Sequence, residues 1–287
     1  MGGTEANFWR LALSTIFLAI LAHSFGLGLG GSAFHVFLIS GLIGFGIGDM
    51  TLFQALPRIG SRLTVMLVHC LTAPMAAVTE WLWLGTTLSL AAIISGSVIL
   101  IGVVIALAPR EHLHIPKRQF WWGINWAVWA AIGQAGGVVL SRKAYALNAL
   151  AGENMDGITA AYQRIIAGTI VSGICLLLVK RQYLAGWTNP EGESGPDAKL
   201  VGKAKWEKSS GWLLVNALTG ATLGVSCYQW ALKTTPSGIV LPIVALAPLV
   251  VIPIARIMEK EIPSRRSIFG SIVAVIGAVS LAIVASR

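Results

Sequence analysis

Asp49 closes the stretch GFGIGD inside an apolar run, whereas the other two aspartates, Asp156 and Asp197, fall between such runs. A carboxylate in apolar surroundings is costly, so it faces polar partners or takes up a proton. Proton or substrate coupling is the chemistry that position allows, and a structural hydrogen bond to a neighbouring helix is the competing reading. Arg164, in AAYQRIIAGTIV, is a permanent cation in a run that continues to Val179, and Arg10, in NFWRLALSTIFLAIL, repeats the setting. From either place a long side chain can snorkel to lipid phosphates; a gate or a hold on a substrate carboxylate is the other use. His69 titrates near neutrality when unperturbed, or packs as a neutral ring. Glu80, just before Trp81 and Trp83, reads as interfacial.

A second group lies in QFWWGINWAVWAAIGQ. Trp122, Trp126 and Trp129 are spaced four and three apart and share a helix face, with Asn125 and Gln134 nearby. Aromatic faces with a few polar groups suit an amphipathic ligand, and they equally suit packing and lipid. Gln54, Asn216, Tyr228 and Gln229 are further polar residues within apolar runs. Pro74 and Pro248 remove helix hydrogen bonds where they stand and are candidate hinges or simple kinks.

The elements that carry these residues are membrane spans. The 287-residue chain is 55% hydrophobic and 11% charged, with a mean hydropathy of +0.76, where soluble domains carry about 25% charge. A span needs about 20 apolar residues. Nine runs qualify: 8–25, 33–56, 61–84, 88–108, 119–141, 158–180, 210–232, 237–257 and 265–285. Backbone groups in lipid must be satisfied within the segment, so all nine are expected as helices, numbered here 1 to 9 in chain order. The first run carries Arg10 and no small-x-small cleavage site, so it reads as a span and not a cleaved leader.

The net charge of +9 follows topology and not nucleic acid, because basic residues sit between apolar runs. Sixteen of the 21 lie on the side of the N-terminus and of the loops after helices 2, 4, 6 and 8. Arg142, Lys143, Lys233 and Arg287 fall on the other side, which the positive-inside rule makes external. The polar segment 183–211 cannot bury an apolar face and is expected as a loop. Cys70, Cys175 and Cys227 each lie inside an apolar run and read as core thiols. His112 and His114 read as solvated. No HExxH, aspartate-rich or Walker A motif is present. Neither a metal nor a cofactor is expected, and an intramembrane enzyme has no nucleophile-and-base set to work with.

The runs form two copies of one unit. Pro74 in LTAPMAAV and Pro248 in ALAPLVVI are each followed, 22 residues on, by Gly-Ser: Gly96-Ser97 and Gly270-Ser271. Before each proline lies a glycine helix ending in Ala-Leu, in which Gly44 and Gly48 match Gly220 and Gly224 at the spacing that lets helices approach. Arg10 and Arg164 open the helix before that. The division falls at 1–109 and 110–287, with four helices in the first copy and five in the second; helix 5 has no counterpart. Units of five spans point in opposite directions, the inverted repeat of secondary transporters.

The segment ISGLIGFGIGDMTLFQALPRIGSRLTVMLVHCLTAPMAAVTEWLWLG with IISGSVILIGVVIAL resembles the first EamA unit of the drug/metabolite transporter superfamily. GQAGGVVLSRKA, YQRIIAG and helices 7 to 9 resemble the second. The resemblance implies ten helices in two inverted repeats around a cavity, moving small metabolites such as amino acids, drugs or nucleotide sugars, usually outward. It therefore implies a small-molecule substrate, a multi-pass protein of the plasma (inner) membrane, and no enzyme. The sequence departs from the pattern in three places. A first helix is absent, which leaves room for a homodimer or for a partner that supplies one, and also for a non-transporting scaffold or receptor. The acidic residue often found after the proline helix is missing from LWLGTTLS, though MEKEIPS keeps Glu259 and Glu261. The loop charges also reverse the usual cytosolic placing of the termini.

Overall fold

The computed structural model describes residues 3–107, 115–184, 210–250 and 264–285, with backbone alone at 3 and 179–184. His112, His114, Glu259, Glu261 and nearly all of the 183–211 loop lie outside them. Each apolar run forms a helix over most of its described residues, and no strand occurs among the described residues. The helices are α1 (Gly3–Phe25), α2 (Phe34–Ile59), α3 (Ser61–Leu84), α4 (Leu90–Leu107), α5 (Lys117–Leu150), α6 (Gly157–Leu184), α7 (210–234), α8 (Ser237–Val250) and α9 (Arg265–Ala285). Among the described residues, seven of them are long and apolar enough to cross a membrane: α1 to α6 and α9.

Three boundaries differ from the sequence expectation, each for a physical reason. Helix α5 continues to Leu150, past the end expected at Ser141, because the polar residues there find partners inside the protein. Ser141 donates to the Gly137 carbonyl at 3.1 Å, and Asn148 accepts from Ser32 and from the Ala33 N–H. Arg142 and Lys143 are therefore helical and do not belong to an external loop. Helix α8 is interrupted by a turn at 245–246; a proline ring clashes with the carbonyl four residues back, and Pro248 places that point at Val244, where the first α8 segment ends. Pro74, by contrast, stands in the unbroken α3 helix. The third difference is shared by both copies. Leu42–Asp49 in α2 and Ala217–Gly224 in α7 wind as π-helix, matching the repeat within one residue. Both carry the glycines that reduce helix propensity.

Packing divides the chain into two compact units, residues 1–46 with 144–233 and residues 47–143 with 234–287. Each draws equivalent helices from both sequence copies. In the first unit α1 runs antiparallel to its equivalent α6: Phe8 lies against Gly173, Thr15 bonds Thr169 at 2.8 Å, and Leu27 donates to Thr159. Thr15 and Thr169 stand five residues after Arg10 and Arg164, so one hydrogen bond joins equivalent positions, as a local twofold axis requires. Its core gathers Leu11, Leu18, Ala22, Ala161, Ile165 and Ala221.

In the second unit α4 runs antiparallel to its equivalent α9. Gly102 faces Gly270 and Ala274, Gly277 faces Ser95 and Ile99, and Ser267 donates to the Ala106 carbonyl at 3.1 Å. Helix α8 packs on α3 likewise, with Gly238 against Ala77 and Leu88. Small residues let these backbones close without the solvent-driven force that aqueous cores use. The GxxxG expectation for α7 is corrected: Gly220 and Gly224 are exposed, and a Cβ on either would meet only Asn216 Oδ1 or Thr219 O. What they share with Gly44 and Gly48 is the π-helical winding.

Candidate functional site

In the second unit Asp49 is 5% exposed and accepts a hydrogen bond from Gln134 Nε2 at 2.9 Å. Both are polar residues within apolar runs, 85 positions apart, and the fold brings them together. The approach depends on Gly48, where a Cβ would stand 3.2 Å from the Gln134 backbone nitrogen, so α2 and α5 meet almost backbone to backbone. Asp49 is also the last π-helical residue before the α-helix resumes at Met50. Such local windings occur often at functional sites.

The other candidates of this unit separate from that pair. Arg58 donates from Nη1 to both the backbone carbonyl and Oε1 of Gln54, so Gln54 serves its own helix. Trp126 packs on the unit's core, and with Trp122, Arg58 and Arg118 it lines an opening of about 520 Å³ at the start of α5. Trp129 is 50% exposed and Asn125 is exposed, so that side of the aromatic face points outward. His69 is half-buried on α3, and Pro74 is exposed. Pro74 lines a second, almost wholly apolar cavity of about 480 Å³ with Trp81, Gly96, Ser97 and Pro242.

Glu80 corrects the interfacial reading. It is 2% exposed; Oε1 accepts from Arg142 Nε at 2.9 Å and Oε2 from the Ser237 N–H at 2.7 Å. One carboxylate thus joins α3, α5 and the N-terminus of α8, where unpaired N–H groups favour a negative charge. Sequence reasoning missed this because the flanking tryptophans mimic an interface and Arg142 lies just past the apolar run.

In the first unit Arg164 is 2% exposed, which overturns snorkelling for this residue. The guanidinium lies over the Phe45 ring, 5.2 Å from its centroid. The backbone at Arg164 is crossed by α2 at Gly41, where any Cβ would coincide with the Arg164 carbonyl, and Gly168 makes room for Phe45. Tyr145 packs edge-on to Phe37 at 5.1 Å. Gln229 is fully buried, while Asn216 is exposed. Arg10, the equivalent residue, is half-buried and donates from Nη2 to Asn7 Oδ1 at 2.8 Å; Asn7 in turn reaches Ser172. The two arginines thus share a place in the repeat and differ in surroundings. Pro248 is half-buried beyond the α8 turn.

Among the described residues no three His, Cys, Asp or Glu side chains gather to hold a metal.

These features meet what is found among known proteins. One solved crystal structure superposes on the chain with a TM-score of 0.69 at 17% identity, over 100% of this chain and 90% of that one, a likeness of fold. No curated protein matches the sequence. The EamA-like transporter family matches residues 1–108 and 121–283. Nearly the whole chain is covered, its helices pair antiparallel between copies, and the apolar spans are of membrane length: this multi-pass membrane protein belongs to the EamA-like transporter family of the drug/metabolite transporter superfamily.

Proposed function

We propose that the chain is a secondary transporter, an exporter or permease of the plasma membrane, that moves small organic metabolites such as amino acids or drugs. Transport proceeds by alternating access between its inverted repeats, driven by an ion gradient or by exchange. The observation that carries this reading is the buried Asp49 carboxylate on the Gln134 amide. A glutamine amide can offer its N–H to a carboxylate or, turned over, its oxygen to a carboxylic acid. The pair therefore keeps a hydrogen bond through a change of protonation, which a coupling site needs. The chain also passes from one compact unit to the other within the π-helical stretch 42–49, a winding suited to local rearrangement.

The test is Asp49→Asn, which preserves size and hydrogen bonding and removes the titration. Efflux from proteoliposomes driven by a pH gradient is expected to fall to background, with normal membrane insertion and an unchanged melting profile. Unchanged efflux with an unchanged pH dependence removes Asp49 from coupling.

A further inference from the structure

In the second unit, two guanidinium groups and two indoles line one opening at the start of α5. Gly123 seats α5 on the end of α2: a Cβ there would run into Ile59 and stand 3.1 Å from Arg58 Cβ. That close approach brings Arg58, in the last turn of α2, to the first turns of α5, where Arg118, Gln119, Trp122 and Trp126 complete a cavity of about 520 Å³. Arg58 is half-buried, and its bonds to Gln54 both run from Nη1. A guanidinium has five N–H groups, so those on Nε and Nη2 are left for another acceptor. The N-terminus of α5 reaches the same opening through Pro116 and Gln119, and the first N–H groups of a helix add partial positive charge. Two cations and a helix start around one cavity favour an anion inside it.

The anion that fits the place is a phosphate carried by a lipid. The opening lies where α2 ends and α5 begins, at the ends of two membrane-length helices, the level of headgroups and of interfacial tryptophan. Trp122, Trp126 and Trp129 share one face of α5, and Trp122 and Trp129 are 51% and 50% exposed. The aromatic wall of the cavity therefore continues along an open apolar surface, which a soluble anion would leave unused and acyl chains would cover. Most basic residues of the sequence fall on the side of Arg58 and Arg118, and basic pockets between spans on the cytoplasmic side suit anionic headgroups. We propose that this opening binds the phosphate of an anionic glycerophospholipid, with Arg58 and Arg118 on its oxygens and the indoles of Trp122 and Trp126 against its glycerol and first methylenes. The site needs only that the chain spans a membrane, whatever it transports.

Native mass spectrometry of the purified full chain in detergent, titrated with dioleoyl phosphatidylglycerol or dioleoyl phosphatidylcholine, reads the affinity for each lipid. The anionic lipid is expected to bind at least about tenfold more tightly, the weight of a charge-assisted hydrogen bond. Arg58→Gln weakens it about tenfold. Arg118→Gln, at an exposed position, weakens it about fivefold, the weight of one basic residue at a lipid surface. Arg266→Gln removes a charge that is also exposed, at the start of α9 and outside the opening, and leaves the affinity unchanged. If Arg58→Gln does not fold, Arg118→Gln set against Arg266→Gln decides. Equal affinity for the two lipids overturns the proposal. So does an affinity that falls no further in Arg118→Gln than in Arg266→Gln, because attraction by net charge alone gives that result. Glycerol 3-phosphate at the concentration of the lipid is expected to leave the lipid bound; displacement would assign the opening to a soluble phosphate and overturn the lipid.

Discussion

Glu80→Ala is expected to lower the thermal midpoint of the purified chain more than any other single side-chain truncation in the second unit. The carboxylate is 2% exposed and accepts from Arg142 at 2.9 Å and from the Ser237 N–H at 2.7 Å. Truncation withdraws the acceptor from both donors, and breaking a buried ion pair by removing one partner costs about 3–5 kcal/mol. The helix end makes the loss larger, because the first N–H groups of α8 lose the negative charge that complements them. Glu80→Gln separates the contributions: it keeps an oxygen for one donor and removes the charge, so a smaller fall is expected. Differential scanning fluorimetry of the two variants in one detergent decides. Midpoints indistinguishable from the wild type for both would refute the network's structural weight.

The second large effect is expected from Gly102→Leu. A Cβ at Gly102 would lie 2.4 Å from the Ala274 nitrogen and 2.7 Å from the Gly270 carbonyl oxygen, and Gly270 meets Ala106 and Gly102 in the same way. Every one of these neighbours is backbone, so no rotamer change relieves the clash and the helices must separate. Overpacking a core costs about 1–3 kcal/mol when side chains can yield; here the cost should exceed the top of that range, and the α4–α9 pair should part. Gly220→Leu is the control, because that glycine is exposed and a Cβ there would meet only Asn216 Oδ1 at 3.4 Å. Loss of the folded fraction in size-exclusion chromatography is expected for the first variant and not for the second. Equal behaviour would show that α4 and α9 do not pack through these glycines.

Much of this architecture was legible because lipid leaves the backbone few choices. The run 61–84 coincides with α3, and the duplicated Pro, Gly-Ser and Arg positions reappear as equivalent helices packed against one another. The details that escaped are those in which polar residues are satisfied by distant partners. Helix α5 outruns its apolar stretch because Ser141 and Asn148 find acceptors and donors inside the protein. Glu80 and Arg142 compensate each other across 62 positions, so neither carried a sign of burial when read alone. Asp49 stood out as an aspartate within a span, and Gln134 as a polar residue on an aromatic helix; hydropathy has no means of pairing them. Arg164 was misread because a cation near a span end is ordinarily an interfacial one, and only the crossing at Gly41 shows that another helix lies over it. The π-helical windings had a faint signal in the paired glycines, which fit a packing motif equally well.

Counterflow reads the movement of small organic molecules across the bilayer without relying on a known driving ion. Purified wild-type protein is reconstituted in liposomes loaded with a mixture of unlabelled amino acids, and entry of trace labelled L-phenylalanine and L-leucine is followed without any imposed gradient. Transient accumulation above the external concentration is expected, absent from protein-free liposomes. No accumulation of either amino acid by correctly inserted, folded protein, repeated with a drug mixture and again without uptake, would contradict the transporter reading.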